Sequence, residues 1–286
     1  MEYTQIKCDS SDGIMTVTLN RPEQLNAYTM VMGNEFADAF TRANEDDEVR
    51  VVIVTGAGRA FCAGAEMGRD PADFGQAQRS SATATEGVQG SLSWIHTLYD
   101  LKKPVIAAIN GHAVGVGLTM TLPMDFRLVS EDAKIAFVFP MRGLTPEAAS
   151  SWFLPRIVGI SKAADLLLTG RFIDVREAVA CGLINEAVPK DNVVSRAREI
   201  ASEIVRNTSA VAVALTRQLI WKMLSADSPS KASEIDSKIF QWALQQPDAR
   251  EGIVSFLEKR PPKFSMRPSK DMPDFYPWWN KAGPTR

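Results

Sequence analysis

The stretch "PVIAAINGHAVGVGLTMTLPMDFR", Pro104 to Arg127, decides the architecture. It opens with an apolar run closed by Asn110, which reads as a strand buried on both faces. Gly111, Gly115 and Gly117 follow, so the chain beyond the strand can turn and let another group approach its backbone closely. No carboxylate appears before Asp125. Proton transfer at this turn therefore needs a group from elsewhere in the chain.

The same grammar recurs on either side. "VVIVTG" (Val51 to Gly56) is another buried strand, and "IMTVTL" (Ile14 to Leu19) alternates as a half-buried one. Between them, Met32, Phe36, Phe40 and Ala43 are spaced by four, four and three and form one apolar helical stripe. Recurring strand–loop–helix units predict an α/β protein. Further on, Ser161 is placed to cap a helix through Leu168, with Gly170 just past its end. Asp174 and Glu177 resemble a capping box, with Gly182 closing that helix. Asp191 to Lys259 reads helical throughout. The last stretch, "SMRPSKDMPDFYPWWNKAGPTR", is Pro-rich, and its Phe275, Tyr276, Trp278 and Trp279 are expected to dock on a surface. Gly68 to Ser91 is small and polar, either a lid or a solvated insertion.

Composition excludes several classes. A formal charge of −2 over 286 residues makes no electrostatic case for nucleic acid or an anionic membrane. No run of about 18 apolar residues suggests a spanning helix, and the N-terminus lacks the basic start and apolar core of a secretory signal. Cys8, Cys62 and Cys181 are widely spaced, as expected of reduced thiols in a cytoplasmic protein.

Two motifs mislead. Gly56 and Gly58 in "TGAGRAF" begin a dinucleotide fingerprint, but Phe61 stands where its third glycine belongs. No Gly-Lys-Ser/Thr marks a P-loop. His96 and His112 are too isolated for a metal site, and none is expected. His112 beside the glycine turn either touches substrate or is structural. Cys62 has no adjacent base and reads as a small buried thiol.

Two segments fit a known pattern. "RAFCAGAEM" resembles one signature element of the crotonase superfamily, the enoyl-CoA hydratase/isomerase family, and "KKPVIAAINGHAVGVGLTMTLPMDFRLVSEDAKIAF" resembles its second. "LNRPEQLNA", "GLTPEAASSWFLPRIVG", "LLLTGRFIDVREAVACGLINEAVP" and "FLEKRPPKF" match in order, so the resemblance spans about residues 3–264. It implies a crotonase-like spiral of ββα units with a C-terminal helical trimerisation region. In this sequence that means a spiral core over 1–200, a helical region over 201–264 and the aromatic tail over 265–286. It also implies an acyl-CoA thioester substrate, with coenzyme A part of the substrate and no separate cofactor. The assembly implied is a homotrimer or a hexamer made of two trimers.

Members of the family stabilise a thioester enolate with two backbone N–H groups, here by position those of Ala65 and Val116. Such donors are worth about 3 kcal/mol each in other enzymes. The family usually carries three glycines where this chain has Gly115-Val116-Gly117. Valine disfavours positive φ, so its donor requires an ordinary backbone conformation. By the same resemblance, Arg21, Leu25 and Ala27 lie near the nucleotide and pantetheine, and Ala63, Glu66 and Met67 line the thioester side. Lys259 and Lys263 either reach a phosphate or are solvated charges. Phe137, Phe139, Trp152 and Phe153 are acyl-pocket walls or core.

Hydratases of the family use two glutamates, and here Thr119 and Met141 occupy those positions. Adding water across a double bond needs a positioned base and acid, so ordinary hydration is not expected. Glu147 in "GLTPEAASSWF" instead resembles the single glutamate of a subgroup of enoyl-CoA isomerases. Moving a proton between two carbons on one face needs only one base. The competing local reading starts a helix at Thr145-Pro146, with Glu147 complementing its dipole. Asp125 and Arg127 read as structural. The expectation is an enoyl-CoA double-bond isomerase. The alternatives are (de)hydration, thioester hydrolysis, or a silent acyl-CoA binder.

Overall fold

β1 (Ile6–Ser11) and β2 (Ile14–Leu19) form an antiparallel hairpin, and α1 (Met30–Glu45) follows, capped by the Thr29 hydroxyl, which accepts from the Met32 N–H. The computed structural model describes residues 2–67 and 93–281. The polar stretch from Gly68 to Ser91, with its lid or insertion reading, lies outside them.

Strands then come in pairs: β3 (Val51–Gly56) with β4 (Ala60–Cys62), β5 (Val105–Ile109) with β6 (His112–Val114), and β7 (Phe126–Ser130) with β8 (Ile135–Ala136). The first of each pair enters a six-stranded sheet ordered β1-β2-β3-β5-β7-β10, and the second enters a four-stranded sheet ordered β4-β6-β8-β9. The chain winds as a spiral, laying one strand in each sheet per turn. β9 (Phe172–Ile173) and β10 (Glu186–Val188) complete the two sheets.

The unbroken apolar runs follow from this winding. Val52, Val54, Val105, Ala107 and Ile109 face the main core with α1 and α2 (Ser93–Asp100). The alternate residues Val51, Ile53, Ile106 and Ala108 meet Val193, Ala197 and Ala201 of α6 (Val193–Asn207) on the opposite face. A strand covered on both sides has no polar positions to alternate. Because α6 runs to Asn207, this packing continues past residue 200.

Two local readings change. α4 (Ser150–Thr169) is broken at Gly159 (φ 77°, ψ 158°), so helical geometry resumes at Ile160, ahead of the expected Ser161 cap. Gly170 does close it in a left-handed conformation. Asp174 caps α5 (Val175–Ala180) by accepting from the Arg176 and Glu177 N–H groups. The Glu177 carboxylate does not complete the box; it pairs with Arg171 and Lys162, because two cations are a stronger partner than one amide.

The C-terminal helices are α7 (Ala210–Lys222), α8 (Pro229–Ala243) and α9 (Pro247–Leu257). α7 is bolted to the core by Arg217, which donates to Asp125 at 2.8 Å and to the carbonyls of Leu98 and Leu101. Asp125 also accepts from Val105 N–H and from the Trp221 indole. Arg127, also buried, donates to the carbonyls of Leu183 and Met124. Within the chain, Met272, Phe275, Tyr276 and Trp278 of the tail pack against Val211, Leu215, Ile239 and Met266. Among the described residues, no helix is long and apolar enough to cross a membrane.

Candidate active site

The site grows from neighbouring strands of the smaller sheet. β4 runs parallel to β6, with Ala60 opposite His112 and Cys62 paired with Ala113. The turns leaving both strands therefore lie side by side. After β6 the chain reverses through Gly115 at φ 56°, ψ −123°, a region closed to residues with a Cβ. Val116 then begins a single helical turn, α3 (Val116–Thr119), and is not among the residues with positive φ. Gly117 passes so close to β4 that a Cβ would sit 2.2 Å from the Cys62 carbonyl oxygen. The chain therefore has glycine on both sides of Val116 for two different physical reasons.

Two peptide N–H groups are left available. Ala65 forms a parallel bridge with Tyr28, whose two bonds run from Tyr28 N–H to the Gly64 carbonyl (2.8 Å) and from Glu66 N–H to the Tyr28 carbonyl (2.9 Å). In that pattern the Ala65 N–H points away from its partner strand. Val116 stands first in its helical turn, where an N–H has no acceptor within the helix. Neither amide donates to another group among the described residues.

Glu147 does not sit in a helix. Ala148 and Ala149 both have φ 53°, and α4 starts only at Ser150, so the expected start at Thr145-Pro146 does not form. Consecutive left-handed alanines cost on the order of 1–2 kcal/mol each. The loop is held by Ser150, whose N–H and hydroxyl both donate to the Glu147 carbonyl, at 2.9 and 2.6 Å. This turn swings the carboxylate inward to Thr119, whose hydroxyl donates to it at 2.5 Å. Burial raises the Glu147 pKa, and the Thr119 hydrogen bond opposes the rise. The carboxylate also acts on Tyr28 and Cys62, contributing to the upward shifts of both beyond the larger effect of their own burial. Glu147, Thr119, Tyr28 and the Ala65 turn thus form one cluster. Cys62, buried and pushed up to about 12, is a packed thiol rather than a nucleophile.

The residues expected along the CoA thioester also come together. Ala63 N–H donates to the Leu25 carbonyl, and the Arg21 guanidinium binds the Ala27 carbonyl and Glu66 at 2.7 Å each. Met67, at 57 % exposure, continues this edge into solvent. Lys259 and Lys263 lie beyond α9, and no hydrogen bond or ion pair joins them to this edge among the described residues. His112 accepts from the Lys134 N–H through Nδ1, which ties it to the approach of β8. Met141 packs on Gly170. The sequence reading passed over Asn26 and Asn110, which pin the misleading glycine loop. Asn26 donates to the Ala57 and Ala60 carbonyls, while Asn110 accepts from Gly56 N–H and donates to Gly58. Asn110 ends an apolar strand, a signal that could have marked it, whereas Asn26 follows the short polar turn Pro22–Gln24 and carries no such mark.

Phe137 and Phe139 are core residues. Phe153, in the same core, and Trp152, packed against it, also line an apolar cavity of about 300 Å³ with Ile95, His96, Tyr99 and Ala149. Ala149 is two residues from Glu147. Cavities of about 570 and 770 Å³ lie elsewhere, at Tyr3–Arg42 and Lys134–Phe172, and include neither Glu147 nor the glycine turns.

A pair of free amides and one half-buried carboxylate held by Thr119, on a two-sheet spiral, define a class, and comparison with known proteins agrees. The enoyl-CoA hydratase/isomerase family model matches residues 9–267. The enoyl-CoA hydratase ACTT3 of Alternaria alternata is 38% identical over 89% of this chain and 83% of its own length. The 1,2-epoxyphenylacetyl-CoA isomerase of Escherichia coli is 32% identical over 88% of this chain and 95% of its own. A crystal structure of a probable enoyl-CoA hydratase/isomerase from Mycobacterium abscessus superposes with a TM-score of 0.82 at 32% identity, covering 93% and 100% of the two chains. The chain belongs to the enoyl-CoA hydratase/isomerase family, within the crotonase superfamily.

Proposed function

We propose that the protein is an enoyl-CoA double-bond isomerase in which Glu147 is the single acid and base. The observation that carries this reading is the half-buried Glu147 carboxylate bonded to Thr119, with Thr119 and Met141 standing where a hydratase would carry its own glutamates. The thioester carbonyl accepts from the Ala65 and Val116 N–H groups. Glu147 removes the proton at C2 of a 3-enoyl thioester, and the electron pair delocalises over the double bond onto the carbonyl oxygen. The two amides stabilise that charge. Glu147 then returns the proton at C4, leaving the double bond between C2 and C3. No other reactant is consumed.

Thr119 serves both protonation states. Its hydroxyl donates to the carboxylate. When Glu147 carries the proton, that O–H donates to Thr119 and the threonine hydroxyl turns to the Val116 carbonyl, 3.4 Å away. Arg21, Leu25, Ala27, Ala63, Glu66 and Met67 form the edge along which the CoA portion lies, and the cavity at Trp152 receives the acyl group.

The enzyme is cytoplasmic and assembles as a homotrimer, or as two trimers. The assembly is supported by large apolar side chains left exposed on the single chain, among them Ile160, Leu168, Phe240, Phe256 and Leu257.

The test is turnover of a 3-enoyl-CoA in deuterated water. The expected product is the 2-enoyl-CoA, carrying deuterium at C4 only to the extent that protonated Glu147 exchanges with solvent before returning its proton, with Glu147→Gln losing roughly 10²–10⁴-fold in rate. The names of several relatives favour hydration, and that reading gains if a 2-enoyl-CoA yields a 3-hydroxyacyl product. Tight thioester binding without any proton exchange marks a silent binder.

A further inference from the structure

The family match ends at residue 267, yet the chain continues through an aromatic tail that reaches back toward the cavity. The link is Lys222 at the end of α7. Its ammonium lies 3.6 Å from the centre of the Tyr99 ring and 4.5 Å from that of Trp279, and it is ion-paired with Asp100. Tyr99 is a wall of the cavity, and its ring makes edge contacts with Trp152 and Phe153, centred 5.8 and 6.0 Å away. Its hydroxyl donates to the Trp221 carbonyl at 3.1 Å. Trp279 is held in turn by edge contacts with Tyr276 and Trp278, at 5.3 and 4.9 Å. The residues behind it are anchored on α7 and α8, where Lys238 sits 4.1 Å from the Phe275 ring centre. Cation–ring contacts strengthen where water is excluded, and the Lys222 side chain is only 8% exposed.

We propose that the C-terminal aromatic tail is a specificity-determining element. Through Trp279 and Lys222 it fixes the Tyr99 ring and so sets how bulky an apolar acyl group the cavity accepts. The proposal rests on the reading of that cavity as the acyl site. With the tail in place, the far wall is a set of interlocked rings that cannot move aside singly. Without Trp279, the Lys222 ammonium loses one ring face and Tyr99 gains freedom.

The experiment measures dissociation constants for saturated acyl-CoA thioesters of increasing chain length, with free coenzyme A as reference, so that no turnover is required. The proteins are the full chain and its Trp279→Ala, Lys222→Met and Trp152→Leu variants, each with its melting temperature. Trp279→Ala and Lys222→Met are expected to shift the preference between the longest and shortest acyl groups by roughly tenfold, the scale on which a hydrophobic pocket discriminates. Free coenzyme A should bind them unchanged. A drop in melting temperature with all affinities altered equally overturns the proposal. So does a preference that moves in Trp152→Leu but in neither of the other two. If Trp152→Leu also leaves the preference unmoved, the cavity is not the acyl site, and the reading beneath the proposal fails with it.

Discussion

A carboxylate half-buried and bound by one hydroxyl holds its proton differently from one on the surface. Burial lifts the Glu147 pKa above its ordinary value, against the pull of Thr119. Catalysis needs the ionised form, so the acid limb of the pH profile of kcat/KM should lie above the ordinary glutamate value. Thr119→Val removes the opposing hydrogen bond and should move that limb to still higher pH; a limb left where it was would show that the hydroxyl is not the controlling partner. The same shift has a consequence for stability. The folded chain binds this proton more tightly than the unfolded one, so the contribution is fully present below the unfolded value and lost as pH rises through the folded one. Glu147→Gln, which has no charge to bury, should melt above the parent at neutral pH and converge with it in acid. A scan of melting temperature against pH reads both ends.

The single turn α3 tests the role of the backbone. Val116 occupies the first helical position, where proline is tolerated and only its missing N–H is felt. Val116→Pro should therefore keep the fold while lowering kcat on the order of 10²–10³-fold, the effect of losing one oxyanion donor. Circular dichroism and rate measurements on one sample separate the two. At this scale the sequence was readable wherever burial and spacing agree: Val51 to Gly56 and Val105 to Ile109 are strands because nothing polar interrupts them. It misled at Thr145-Pro146-Glu147, which carries every local mark of a helix start. Those marks were outweighed by contacts distant in sequence, the Thr119 hydroxyl on the carboxylate and the burial of Ala148 in the core. Ser161 failed for a simpler reason, since Gly159 moves the break two residues earlier.

Across the whole molecule, α7 is joined to the core by buried cations, Lys222 on Asp100 and Arg217. Arg217 is 4% exposed and bridges α7 to Asp125 and to the end of α2. Removing one partner of such a pair strands the other, at a cost of about 3–5 kcal/mol. Arg217→Met should lower stability by that amount in denaturant titration. The fold class and the order of the site segments were legible from the motifs, whereas the docking of the tail was not, because proline-interrupted aromatics have no periodicity to report which surface they cover. The alternation of strands between two sheets carries a further consequence. Ala65 and Val116 emerge from adjacent strands, so their separation is governed by the lateral repeat of a β-sheet, about 4.8 Å, rather than by any connecting loop. Whatever joins Met67 to Ser93 can therefore lengthen, shorten or change its chemistry between relatives while the grip on the carbonyl oxygen keeps its gauge.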